Sequence, residues 1–320
     1  MRIPYTGADF LNPYQALNGP GWIDLDWTSL ARSAMTVGRR DEAAVMQYAG
    51  YSVLECIYRA TMIFANLREG AQGKIVRSAA YDGLDPSEKG AISYFIGLVV
   101  AKAYAESKLD VPWLMHLDTY RDQFPVQIAG NGRSRPDLFG RNQDGEWVVV
   151  EAKGRSNGLS DSALIKAKAQ ATLLTDIGGE YPALCVGSVA HFGDGRLCLE
   201  AVDPPVDKSH TKPFRLDVAS DSFFKRYYEP IRSMIDFRHA EPRTVAGREY
   251  LVTYLEAADL TVGLDARLVE SPLPTGETVG AGRLSDGMLE IGPDGVLVEL
   301  GPLWSKANMQ KSPQDRRRDG

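Results

Sequence analysis

The chain is poor in the residues that mark several common chemistries. Its 320 residues include three cysteines and four histidines. Cys56, Cys185 and Cys198 lie far apart and cannot all pair, which argues against a disulfide framework and against a paired-cysteine zinc site. They are expected to be buried thiols in a reducing cytoplasm. No His-Glu-x-x-His and no Walker A loop occurs, so neither a zincin site nor ATP binding is indicated. No run of 18 apolar residues exists, and the opening MRIPYTGADFLNPYQ has no apolar core. Neither a spanning helix nor a signal peptide is therefore expected.

What is present is the composition of a soluble globular protein, 44% apolar and 24% charged, long enough for one large domain or two ordinary ones. The net charge of −6 argues against bulk nucleic-acid binding, but it is unevenly spread. From Ala240 to Trp304 there are eleven Asp/Glu and four Arg, with no Lys. Between Arg133 and Lys168 there are seven Lys/Arg against five Asp/Glu. A nucleic-acid surface belongs to the middle of such a chain. The acidic C-terminal part suits protein contacts, self-assembly or ligand sensing.

Periodicity divides the chain into four stretches. Residues 1–84 read as a helical N-terminal region: the first 25 residues look irregular, and a long helix runs from Asp41 to Leu67. Residues 85–239 read as the main domain. Its first helix has Asp85 at the N-cap, Pro86 next and Glu88 three residues on. Three strands follow at FPVQIAG, RPDLFGR and EWVVVEAK, then a helix from Ser160 or Asp161 to a stop at Gly178. Strands YPALCVGSVAHF and GRLCLEAV and a helix over 220–237 complete it. Residues 240–305 read as an acidic β-rich module with a hairpin through Pro293-Asp294-Gly295, and 306–320 as a frayed tail. The fold class is α/β, a mixed sheet flanked by helices.

The chemistry gathers where WVVVEAKG leaves the core. Residues i and i+2 of a strand share a face, so Glu151 and Lys153 emerge together. Antiparallel pairing of RPDLF with WVVVEAK brings Asp137 beside Glu151. Two carboxylates and the Ala152 carbonyl are hard oxygen donors, suited to Mg²⁺ or Mn²⁺ with water completing the shell. Lys153 is placed to orient that water and to stabilise charge on a phosphoryl transition state. As isolated fragments, Pro-Asp and Glu-x-Lys are common and read as solvated strand ends; their combination on one hairpin favours a site.

Pro136-Asp137 with Glu151-Ala152-Lys153 resembles the signature of the PD-(D/E)xK nuclease superfamily, over about residues 85–203. The resemblance implies a restriction-endonuclease-like αβββαβ core and metal-dependent hydrolysis of DNA, less often RNA, by an endonuclease serving restriction or phage defence. It further implies a helix-borne Gln or Lys, for which Gln170 and Lys166 are the candidates, four apart on one face. The alternative for both is an ordinary amphipathic helix. Glu88 is the candidate for an additional acid, although a capping box accounts for it without any other role. Arg133, Arg135 and Arg155 flank the motif and suit phosphate contacts or, equally, solvated turns. The remaining partners implied are a second copy or another subunit, met through the N-terminal helices or the acidic module. A rival reading is a nuclease-like scaffold without catalysis, recognising another protein.

Overall fold

The computed structural model describes residues 1–37, 50–117, 126–128, 135–203, 214–237, 240–274 and 284–309. The chain opens with β1 (Arg2–Ala8) and β2 (Gly19–Asp24), then α1 (Trp27–Thr36) and α2 (Gly50–Asn66). The hairpin β3 (Leu67–Glu69) and β4 (Ile75–Arg77) precedes the short α3 (Ala79–Gly83) and the long α4 (Pro86–Lys108). Next come β5 (Trp113–His116), β6 (Val126–Ile128), β7 (Leu138–Arg141), β8 (Trp147–Gly154) and α5 (Asp161–Ala171). Then follow β9 (Leu174–Ile177), β10 (Leu184–Gly193), β11 (Arg196–Val202), β12 (Phe214–Leu216) and α6 (Ser220–Phe237). The last part holds β13 (Glu241–Val245), β14 (Arg248–Leu255), β15 (Leu260–Asp265), α7 (Ala266–Glu270), β16 (Leu284–Ser285), β17 (Leu289–Ile291), β18 (Val296–Leu300) and α8 (Pro302–Met309).

Among the described residues these strands make three sheets. The largest runs β2-β1-β11-β10-β8-β7-β5, with β4 on β11 and β3 on β4. Within it β5, β7 and β8 form an antiparallel meander, and β10 returns parallel to β8. That parallel return requires a crossover, which α5 supplies on one face of the sheet. A small sheet runs β6-β12-β9, and a six-stranded one β13-β14-β15-β18-β17-β16.

Several expectations are corrected by this topology. The first 25 residues are not irregular: β1 and β2 pair along six positions and extend the main sheet through β11. The N-terminal region is therefore mixed, not purely helical. The first strand of the meander is β5, whereas Val126–Ile128 pairs with β12 in the small sheet. The helix after the motif stops at Ala171, and Leu174–Ile177 is a strand paired with β12, a partner forty residues away that local periodicity cannot reveal. Within the module expected to be β-rich, residues 266–270 form a helix, α7, capped by the Asp265 carboxylate on the Arg267 nitrogen. The predicted start of the long helix at Asp41 lies outside the described residues; its remainder is α2.

Two helices set the layers. α4 starts as its sequence dictates, with Asp85 and Glu88 in a reciprocal capping box and Pro86 at the first turn. Its middle, from Ile96 to Ala105, is buried throughout, so it is a core helix and not an amphipathic surface one. α1 is buried at every position and packs against α2, α4 and β18. One continuous core includes Val148 and Val150 of β8, Leu30 of α1 and Val262 and Val298 of the last sheet. Cys56 and Cys185 are buried, while Cys198 is half-buried. No helix of the described residues is long and apolar enough to cross a membrane.

Candidate active site

The site is built from the ends of β7 and β8. Leu138 pairs with Val150 in antiparallel register, which carries Asp137 to the level of Glu151. The two side chains interlock. The Asp137 nitrogen donates to Glu151 Oε2 at 3.1 Å, and the Ala152 nitrogen donates to Asp137 Oδ2 at 3.2 Å. Lys153 follows two residues later on the same face, and its Nζ donates to Glu151 Oε1 at 2.5 Å and to Gln170 Oε1 at 2.6 Å. Gln170 Nε2 reaches the Arg135 carbonyl at 3.5 Å. One side chain of α5 thus fastens the motif lysine to the segment before β7.

Glycines allow this proximity. Gly187 of β10 pairs with Glu151. A methyl on Gly187 would meet the Ala167 carbonyl carbon at 3.0 Å, so α5 lies close on the sheet there. Gln170 is one turn beyond Ala167 and points back over β8. On the opposite face, a methyl on Gly97 of α4 would sit 2.7 Å from the Gly154 nitrogen. That contact brings α4 against the end of β8.

The resulting pocket has a volume of about 350 Å³. Asp137, Glu151, Ala152, Lys153, Gln170, Arg135 and Arg155 all line it. Arg155 is half-buried and folds over its own loop, its Nε donating to the Gly158 carbonyl at 3.1 Å. Lys166 does not join them: it is exposed, one turn before Gln170, and outside the pocket lining. Glu88 is also exposed at the start of α4, where its Oε2 accepts from the Asp85 nitrogen at 3.1 Å. The capping role accounts for it, and it does not line the pocket. Arg133 and the tail arginines Arg316, Arg317 and Arg318 lie outside the described residues.

The electrostatics centre on Glu151, which is 1% exposed. Burial, and next the charge of Asp137, push its carboxyl up to about 8. Lys153 and the backbone hydrogen bond from Asp137 oppose the shift without cancelling it. The pair is thus short of positive charge. A hard divalent cation would supply it, and the donors present suit one: two carboxylates and the Ala152 carbonyl, with the open pocket leaving room for water. Among the described residues no group of three or more His, Cys, Asp and Glu side chains forms a metal cluster. Any ion here would rest on these two carboxylates and backbone oxygen.

Sequence reasoning missed Tyr94. It lines the pocket from α4, and its hydroxyl lies 3.1 Å from His116 Nε2 at the end of β5. Its spacing on α4 does not distinguish it from neighbouring apolar positions; the Gly97–Gly154 crossing does. The run Gly154-Arg155-Ser156-Asn157-Gly158 also has Gly-x-Ser-x-Gly spacing. It lacks the sharp strand-to-helix turn of a nucleophile elbow, since α5 begins only at Asp161. No protein-family model, no curated protein and no solved structure matches this chain.

Proposed function

We propose that the chain is a divalent-cation-dependent nuclease of restriction-endonuclease-like fold that hydrolyses phosphodiester bonds, with DNA the favoured substrate. The observation that carries this is the interlocked Asp137–Glu151 pair, short of positive charge, beside a lysine held by Gln170 in an open pocket. Mg²⁺ or Mn²⁺ bound by the two carboxylates and the Ala152 carbonyl would polarise a phosphoryl oxygen and lower the pKa of a bound water. Lys153 positions the attacking water and stabilises the charge that builds on phosphorus. Gln170 holds the Lys153 ammonium in place. Arg135 and Arg155 meet the flanking phosphates. The order α4, β5, β7, β8, α5, β10, with β10 parallel to β8, supports the fold assignment.

One observation favours the non-catalytic rival. Both Glu151 oxygens accept hydrogen bonds from the chain itself, a closed network that a structural role also satisfies. Cleavage of plasmid, single-stranded DNA and RNA in Mg²⁺ or Mn²⁺ separates the readings. Lys153→Ala is expected to lower the metal-dependent rate by about 10² to 10³. Cleavage that persists unchanged in Lys153→Ala, or wild-type protein inert on all three substrates, removes the catalytic reading.

A further inference from the structure

We propose that the cleft between the β3–β4 hairpin and the β10–β11 turn holds the phosphate backbone of the nucleic acid whose reacting bond lies in the Asp137–Glu151 pocket; this rests on the nuclease reading.

The cleft has a volume of about 490 Å³ and is lined by Arg68, Lys74, Arg77 and Arg196 against Asp82 and Asp194. Among the described residues that line it, the four cations outnumber the two acids, in a chain whose net charge is −6. Each acid is taken by one arginine, Asp82 by Arg77 at 3.1 Å and Asp194 by Arg196 at 3.2 Å. The Arg77 guanidinium lies over the Phe192 and Tyr81 rings, at 5.6 and 5.9 Å. These contacts hold its guanidinium in one orientation at the cleft wall, as a fixed positive charge. Gly70 and Gly195 also line the cleft.

The cleft is physically joined to the pocket. Arg77 Nη1 donates to the Ser156 carbonyl at 3.4 Å, and Ser156 directly follows Arg155 of the pocket lining. The Arg155 nitrogen donates to the Ala190 carbonyl at 2.9 Å, so the same loop is anchored to β10. Both openings lie at the edge where the parallel strands β8 and β10 end. Glu151 is level with Gly187, and Arg196 is level with Gly193, six residues further along β10. At ~3.3 Å per residue, the two levels are about 20 Å apart along the strand axis. A duplex rising ~3.4 Å per base pair covers that in about six base pairs. A nucleic-acid strand can therefore reach both. The linkage makes the substrate a polymer, since no small phosphate ester spans the two.

The test is binding by the metal-free full chain, which needs no cleavage. Anisotropy of a labelled duplex of ~30 base pairs is followed from about 50 to about 200 mM salt, for wild type and for Lys74→Ala/Arg196→Ala. Two lost phosphate contacts are expected to reduce the slope of log K against log[salt] by about 1.8, at ~0.9 per contact, and to weaken binding at least about tenfold at low salt. Lys74→Arg/Arg196→Lys keeps the charge and is expected to bind within about twofold of wild type, with a thermal midpoint equal to that of the alanine pair. Equal slopes for wild type and the alanine pair overturn the cleft, as does a charge-conserving pair that binds as poorly as the alanine pair. Charge-dependent binding without cleavage in Mg²⁺ or Mn²⁺ keeps the cleft and removes the catalytic reading. Cleavage with binding indifferent to Lys74 and Arg196 does the reverse.

Discussion

At Glu151 two opposed influences meet. Burial and the Asp137 charge disfavour ionisation, while Lys153 at 2.5 Å favours it, and the carboxyl is held at about 8. An acid whose pKa rises on folding keeps its proton in the folded state. Its contribution to stability is complete below the unfolded value, ~4.3, and is lost as pH rises through about 8. The metal-free protein is therefore expected to lose stability, on the order of a few kcal/mol, between about pH 5 and about pH 9. Glu151→Gln should flatten that profile, and Mg²⁺ or Mn²⁺ should restore stability at the alkaline end by favouring the ionised form. Urea midpoints across pH, with and without the ion, check this. A wild-type profile that coincides with Glu151→Gln would refute it. At this scale the sequence was informative: strand alternation and hairpin register made Asp137, Glu151 and Lys153 neighbours. Tyr94 was not legible, because nothing local distinguishes it.

At the scale of elements, close approach depends on absent side chains. α4 crosses the end of β8 where Gly97 meets Gly154, and α5 lies on β10 where Ala167 meets Gly187. Gly97→Ala would place a methyl 2.7 Å from the Gly154 nitrogen, a backbone atom that cannot rotate away. The expected cost is about 1 to 3 kcal/mol, despite the better helix propensity of alanine, and the displaced helix should carry Tyr94 away from the pocket. Denaturant titration measures the first effect. Gly90→Ala, on the same helix with nothing near its added methyl, is the control expected to be neutral or mildly stabilising. The boundaries of α4 and α6 were legible from caps and apolar spacing. The end of α5 was not, since β9 exists through pairing with β12 rather than through any local break.

Across the whole molecule, a buried ionic network joins the first helix, the core helix and the last sheet. Arg32 of α1 contacts Glu106 of α4, Glu290 of β17 at 3.0 Å, and Asp294 of the β17–β18 turn at 3.2 Å. Burial opposes the Arg32 charge, and the carboxylates of Glu106, Asp294 and Glu290 overcome it. Tyr227 and Tyr228 of α6 donate to Asp294 Oδ2 and its carbonyl at 2.6 and 2.8 Å, and Trp113 Nε1 donates to the Tyr228 hydroxyl at 2.7 Å. Glu290 and Asp294, two of the eleven acids counted between Ala240 and Trp304, are thus buried inside, so the surface of the last sheet is less acidic than its sequence. The Pro-Asp-Gly turn is a connector between layers as well as a hairpin turn. Arg32→Met is expected to cost about 3 to 5 kcal/mol, because it leaves buried carboxylates uncompensated. Glu290→Gln on that background should recover part of the loss, as read by thermal or urea unfolding.

The sequence by itself determined the α/β class, the capped start of α4, the buried strand β8 and the triad at its exit. Each follows from local rules: periodicity, capping chemistry and the two-residue repeat of a strand. Tertiary structure decided the rest. It recruited β1 and β2 to the main sheet, brought Gln170 and Tyr94 over the strand end, opened the basic cleft beside it, and placed Glu290 and Asp294 around Arg32. These depend on which distant segments share an edge or a face, and a contact between residues a hundred positions apart leaves no period in a single chain.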